Sequence, residues 1–133
     1  MSASLRPDPK PAPPELLVLA QTEELAAWLL MRTARWPKRV RWTLTQRLEN
    51  HCLDLLESLT VARYRPAERP RQLEASNLRL ERMRRLLRLA RAVQACPTGA
   101  FEKALRQLDL VGRMMHGWRR RLAGSTTAGG RDA

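Results

Sequence analysis

Aromatic side chains are scarce in this 133-residue chain: 5% of the total, comprising one Phe, one Tyr and four Trp. With leucine and alanine abundant and the aromatics that favour pleated surfaces nearly missing, helices are expected over strands. Cysteine is rarer still. Cys52 and Cys96 have no metal-ligand spacing and cannot supply a disulfide framework. The chain also starts without a secretory h-region, so a reduced, cytoplasmic setting is expected. Long apolar runs are missing as well. The longest, Leu25 to Met31, falls far short of the roughly 20 residues that span a bilayer, so no membrane partner is expected. Acids are outnumbered, 13 against 25 Lys and Arg, which gives a formal net charge of +12 and a pI of about 11.5. That imbalance points to a polyanionic partner, nucleic acid first. Lysine occurs only at positions 10, 38 and 103. The remaining cations are arginines, whose planar fork suits bidentate phosphate contacts. A coding bias toward arginine would leave the same mark.

What is present is one domain's worth of chain with 44% hydrophobic residues, enough for a single core and too little for two. Five of the nine prolines, Pro7, Pro9, Pro11, Pro13 and Pro14, fall in residues 1–14, which therefore read as a disordered arm. Residues 124–133, rich in Gly, Ser and Thr, read as a flexible tail. Between them, residues 15–123 contain four segments of helical period. The first covers about Leu16 to Ala34, with Leu19, Glu23, Ala26, Leu30 and Ala34 on one side and Leu25, Leu29 and Trp28 beside them, and ends at Trp36-Pro37. The second, about Lys38 to Tyr64, places Leu44, Leu48, Cys52, Leu55, Leu59 and Ala62 at spacings of three and four. The third runs from about Pro70, suited to a first helical turn, to Ala95. Its apolar residues Leu80, Met83, Leu86, Leu87, Leu89, Ala90 and Val93 span more than half the circumference. The fourth, about Gly99 to Ala123 with Thr98 as a cap, repeats Phe101, Ala104, Leu105, Leu108, Val111, Gly112, Met115, Trp118 and Leu122. An all-α, antiparallel four-helix bundle is the expected fold. The excess apolar width of the third helix, with the apolar flank of the first, suggests that protomers pack on one another.

Catalysis is not expected. His51 and His116 lie on different helices without a paired carboxylate or cysteine, and no Gly-rich phosphate loop, paired-aspartate polymerase motif or nucleophile elbow occurs. No cofactor or metal is implied. Three basic groups carry the functional reading. Arg84, Arg88 and Arg91 project from one stripe of the third helix with Arg85 flanking and Glu81 as the one nearby acid, so the stripe serves phosphate or pairs with acids of a neighbouring subunit such as Glu49 or Asp54. Arg35, Lys38, Arg39 and Arg41 surround the first connection, interleaved with Trp36 and Trp42. Tryptophan beside arginine stacks on unpaired bases or plugs the end of a bundle, and for Trp42 the plug is expected. Arg119, Arg120 and Arg121 follow Trp118 near the expected helix end, where the dipole accounts for one of the three. Gly112 and Gly117 each cost about 1 kcal/mol relative to alanine inside a helix. Either a neighbouring helix approaches closely there, or a partner does.

Three strings along these helices carry a family likeness. Trp36-Pro37, Arg41-Trp42-Thr43-Leu44 and Arg47 fit the aromatic-Pro and aromatic-Thr-Leu-Gly-Asp-Arg pattern of the accessory variability determinant proteins of diversity-generating retroelements, with Thr45 and Gln46 standing where Gly and Asp are usual. Asn77, Leu80, Glu81, Arg84, Leu87, Arg88, Leu89 and Ala90 follow the third-helix pattern. Gly112-Arg113-Met114-Met115 and Gly117-Trp118 follow the fourth, with His116 in place of a common glycine. The chain resembles that family over about residues 22–123. The resemblance implies a ring-like homo-oligomer, a pentamer, with a basic surface that includes Arg113. It implies as partners a reverse transcriptase, its template RNA and the cDNA, in support of mutagenic cDNA synthesis. Related four-helix bundles encoded by intervening sequences of ribosomal RNA genes share much of the pattern. They offer the alternative of a structural bundle without a polymerase partner.

Overall fold

The computed structural model describes residues 12–132, with side chains described for residues 12–124. Four helices, α1 (Pro14–Thr33), α2 (Gln46–Tyr64), α3 (Arg69–Ala92) and α4 (Thr98–Asp132), make up the fold. No strand occurs among the described residues. Each helix packs on its chain neighbours and α4 closes back on α1, which is the up-down-up-down square that short connections impose. Most of the expected arm lies outside the described residues. Pro14 does not belong to it, because it opens α1, where its fixed φ suits the first turn and its missing N–H costs nothing. The expected helix end at Ala123 is passed without a break, and the side chains beyond 124 lie outside the described residues.

The seam of α2 is as expected: Leu48, Cys52, Leu55, Leu59 and Ala62 are fully buried, and Leu44 nearly so. It meets Leu73, Leu80, Met83 and Leu87 of α3 and Leu108, Val111 and Met115 of α4 in one continuous core. The first helix departs from expectation. Its buried face is Val18, Thr22, Leu25, Ala26, Leu29 and Thr33, whereas Glu23 and Ala34 are exposed. Two threonines face inward where Glu23 and Ala34 were expected, and their hydroxyls find acceptors. Thr22 donates to the Val18 carbonyl at 2.7 Å, and Thr33 donates to Glu49 Oε2 of α2 at 2.5 Å. A buried hydroxyl so paired avoids the desolvation penalty that would otherwise keep it outside.

The connections also refine the expected boundaries. Pro37 prevents a continuous helix from starting there, and the chain instead takes a 3-10 turn at Lys38–Val40 and a π turn at Arg41–Thr45 before α2. Thr98 is the first residue of α4 and not the cap before it. Helix α3 ends at Ala92, earlier than expected. Gln94 takes a left-handed φ of 62°, and Ala95 N–H returns to the Ala90 carbonyl at 2.8 Å. Glycine normally occupies such a turn, since a side chain there costs energy.

Only one side of the wide apolar surface of α3 is covered within the chain. Leu89 is 50% exposed, Val93 37% and Leu78 53%.

Among the buried polar groups without a partner is a serine of the core face of α3. Ser76 is fully buried on α3, and its hydroxyl makes no hydrogen bond. Ser76→Ala should therefore raise the unfolding free energy by about 1 kcal/mol, from the relieved desolvation and the better helix propensity of alanine. Urea denaturation followed by circular dichroism measures it, and a loss of stability would mean that the hydroxyl is satisfied in solution.

Candidate nucleic-acid interface

The first connection gathers cations around two tryptophans that behave oppositely. Trp36 is 7% exposed and plugs the end of the bundle, whereas Trp42 is 75% exposed. The plug expected at Trp42 is thus a correction. Leu44 marks the inward face, and Trp42, two residues earlier, stands about 200° away from it at helical period. Trp42 and Arg41 border a groove with Trp36, Thr45, Gln46 and Glu49. Thr45 is only 8% exposed there, its hydroxyl without a partner. The π turn widens the backbone at this point, and such turns are frequent at functional sites.

Among the described residues, Arg35, Lys38 and Arg41 are exposed and form no ion pair. Arg39 is spent differently. Its guanidinium donates to the Val93 carbonyl at 2.6 Å, tying the first connection to the end of α3, where a cation also meets the negative end of the helix dipole. Arg32 and Lys103 join this end of the bundle from α1 and α4, both against the Trp28 ring, with centroid distances of 5.8 Å and 5.0 Å. Sequence reasoning missed both. Arg32 was visible four residues after Trp28, but nothing local signals that Lys103 of α4 reaches the same ring.

The arginine stripe of α3 divides in two. Arg84 bonds Glu81 at 3.0 Å and Asp109 of α4 at 3.1 Å, with its side chain 20% exposed. It holds α3 to α4, and Asp109 is an acid that the α3 sequence could not reveal. Arg85 shares Glu81 at 3.8 Å. Arg88 and Arg91 are exposed and unpaired among the described residues. The acids named as intersubunit partners are engaged within the chain. Glu49 accepts from Thr33, and Asp54 bonds Arg79 at 3.3 Å.

A shallow groove between α3 and α4 brings Arg84, Asp109, Arg113, His116 and Arg120 together beside Gly112. A Cβ at Gly112 would sit 3.5 Å from Arg84 Nη2 and Leu80 Cδ1, ordinary contact distances. The close approach expected at Gly112 is therefore not found within the chain, since a Cβ would fit beside the Arg84 and Leu80 side chains. Gly117 would meet nothing within 4 Å, so no helix approaches it. Arg119, Arg120 and Arg121 are exposed and stand inside α4 rather than in its last turn, which removes the dipole as their explanation.

Burial sets the titration of the two cysteines and of His51. Burial pushes the Cys52 thiol up to about 11, with Glu49 adding to the shift, so the thiol stays protonated at neutral pH. Burial likewise raises Cys96, partly offset by Arg91. His51 is held below its ordinary value, first by burial and then by Arg79, whose Nη1 lies 3.4 Å from its Nδ1. Among the described residues no group of His, Cys, Asp and Glu could hold a metal ion, and no helix is long and apolar enough to cross a membrane.

A family model described as bAvd-like, for the accessory variability determinant family, matches residues 16–122. The chain belongs to the bAvd-like family. Neither the curated proteins nor the solved structures give a match. The matched span takes in all of α2 and α3, most of α1 and the part of α4 that packs in the bundle, so the family pattern is a pattern of the bundle itself.

The division of the stripe has a measurable consequence. Arg84→Ala should cost about 1 kcal/mol of stability, since two carboxylates on two helices lose their shared partner. Arg88→Ala should stay within about 0.5 kcal/mol. Equal effects in urea denaturation would refute the distinction.

Proposed function

We propose that this bAvd-like protein is a non-enzymatic accessory factor of a diversity-generating retroelement. It binds the reverse transcriptase and its template RNA and cDNA through basic surfaces and supports mutagenic cDNA synthesis. The observation that carries this reading is the unpaired cation set Arg35, Lys38 and Arg41 around the exposed Trp42. Phosphate contacts by such cations supply affinity without reading sequence, and an exposed indole stacks on unpaired bases of any identity. An accessory factor for copying a whole template needs that combination. Arg88, Arg91, Arg113 and Arg119 to Arg121 extend the basic surface along α3 and α4, with Arg84 and Arg85 contributing charge that Glu81 and Asp109 partly neutralise. Membership of the bAvd-like family favours this reading over the structural bundle of ribosomal intervening sequences.

The same reading includes a ring-like homopentamer, as the resemblance implies. It is supported by Leu78 and Leu89 of α3 and by Val93 just beyond its end, apolar side chains that the chain's own core leaves exposed. Light scattering should give several times the 15.3 kDa of one chain. Leu89→Asp should dissociate the assembly without unfolding the protomer, because Leu89 faces outward. Leu87 is the wrong position for this test, being 1% exposed in the protomer's own core. A monomer at micromolar concentration would sink the assembly.

For the nucleic-acid surface, the triple variant Arg35→Glu, Lys38→Glu, Arg41→Glu should keep its helicity and bind single-stranded RNA at least tenfold more weakly. Its log–log salt slope should fall by about two, at roughly 0.7 for each phosphate that is no longer neutralised. Capture of the reverse transcriptase and cDNA synthesis by the reconstituted complex are read on the same variant. Unchanged affinity and slope would overturn this placement of the interface.

A further inference from the structure

Behind the exposed connection lies a more enclosed feature, a cleft of about 500 Å³ between the end of α1, the α3–α4 turn and the start of α4. Its wall holds Arg32, Arg35 and Lys103 and no acid. Concentrating three cations in one concavity is unfavourable without an anion, and low-dielectric walls focus their field on whatever enters. Trp28 fixes the geometry of two of them, with Lys103 Nζ 5.0 Å and Arg32 Cζ 5.8 Å from its ring centroid. The Trp28 indole N–H is shielded from solvent and has no acceptor, which a native protein rarely tolerates without a reason.

The start of α4 adds a second, independent contribution. Its first N–H groups have no partner inside the helix, and the dipole there favours negative charge. Gly99 stands in that first turn and lines the cleft. A Cβ on it would meet nothing within 4 Å, so the backbone is open to close approach. Trp36, Pro37 and Ala95 supply an apolar floor beside the charged wall. The volume falls within the range of small-molecule sites, roughly 300–1,000 Å³, and it is a concavity rather than a track for a continuous strand.

We infer that this cleft binds a nucleotide through its terminal phosphate, with the phosphate between Arg32, Arg35, Lys103 and the first turn of α4, and the base against the apolar floor. A phosphate monoester carries close to two negative charges at neutral pH, which suits three cations better than the single charge of an internal diester. Two sources supply that chemistry, a free nucleoside monophosphate and the 5′-phosphorylated end of an RNA or cDNA strand. Neither source requires a polymerase partner.

The test titrates adenosine monophosphate, inorganic phosphate, and an eight-nucleotide RNA with either a 5′-phosphate or a 5′-hydroxyl into the full chain at fixed ionic strength. Calorimetry and tryptophan fluorescence provide the readouts. The 5′-phosphorylated RNA should bind at least tenfold more tightly than the 5′-hydroxyl form. Arg32→Gln with Lys103→Gln should abolish that difference. So should Gly99→Leu, which fills the cleft without changing charge, whereas the equally charge-depleted Arg65→Gln with Arg106→Gln should retain it. Adenosine monophosphate binding that disappears in the same variants would add the free nucleotide as a source. Its failure, with the 5′-phosphate preference intact, would assign the cleft to strand ends. Equal binding of the two RNAs would overturn the inference, as would inorganic phosphate binding as tightly as the nucleotide. Salt-dependent binding of the 5′-hydroxyl RNA would still stand on its own as support for the broader basic surface.

Discussion

The architecture depends on the aliphatic seam of α2. Leu48, Cys52, Leu55, Leu59 and Ala62 have no exposed surface, and α1 packs on one side of that seam while α3 packs on the other. Each fully buried leucine contributes roughly 1.5–3 kcal/mol of transfer free energy, more than a single exposed ion pair, typically below about 1 kcal/mol. Stability is therefore concentrated in the aliphatic core. The arginines are released from holding the fold together, apart from those that finish helix ends or bridge helices. Arg69 finishes α2, donating to the Ala62 and Arg63 carbonyls at 2.6 and 3.0 Å while stacking 5.3 Å from Trp118. Arg39 does the same for α3 through Val93, and Arg84 bridges α3 to α4 through Asp109. Arg63, Arg71, Arg79 and Arg85 each meet an acid as well, while Arg35, Lys38, Arg41, Arg88 and Arg91 face solvent without one among the described residues.

How far the sequence revealed this depends on how strongly each helix discriminates between its faces. In α2 and α4 apolar and charged residues alternate at a clear period, and the residues expected inside α2 are inside. In α1 nearly the whole circumference is apolar, from Leu16 and Leu17 to Leu29, Leu30 and Met31, so hydrophobicity assigns no unique face. The choice is made by hydrogen bonding. Thr22 and Thr33 go inward because Val18 and Glu49 accept from them, while Met31 stays 71% exposed. A periodicity argument weighs side chains one at a time and cannot see an acceptor sixteen residues away. On α3 the excess apolar width was legible, and within one chain it is left uncovered at Leu78, Leu89 and Val93.

The candidate site was legible as charge but not as geometry. The cluster at Arg35, Lys38 and Arg41 and the interleaved tryptophans could be read directly, yet which tryptophan is inside depends on phase. Carrying the α2 seam backward by helical period places Trp42 outside, and the 3-10 and π turns place Val40, Leu44 and Thr45 inward without reversing that outcome. Arg84 illustrates the opposite limit. On its own helix it belongs to a stripe with Arg88 and Arg91, and only the packing of α4 brings Asp109 within reach. Cation clusters in a sequence therefore overstate the charge available to a partner by the number of arginines that meet an acid, or a helix-terminal carbonyl, on another element.

That correction concentrates the free charge unevenly. At the end formed by the first connection and the α3–α4 turn, Arg32, Arg35, Lys38, Arg41 and Lys103 have no carboxylate partner among the described residues, and Trp28, Trp36 and Trp42 stand among them. Along α3 the charge is interrupted by Glu81 and Asp109. Arg91, in the last turn of α3, lies where the two regions adjoin. The tryptophan-bearing end combines charge with an exposed ring and with a concavity, whereas the α3 and α4 arginines offer charge alone. On the proposed function, a strand would be held along the helices by counterion release and positioned by the end where an exposed ring and a cation-lined cleft coincide.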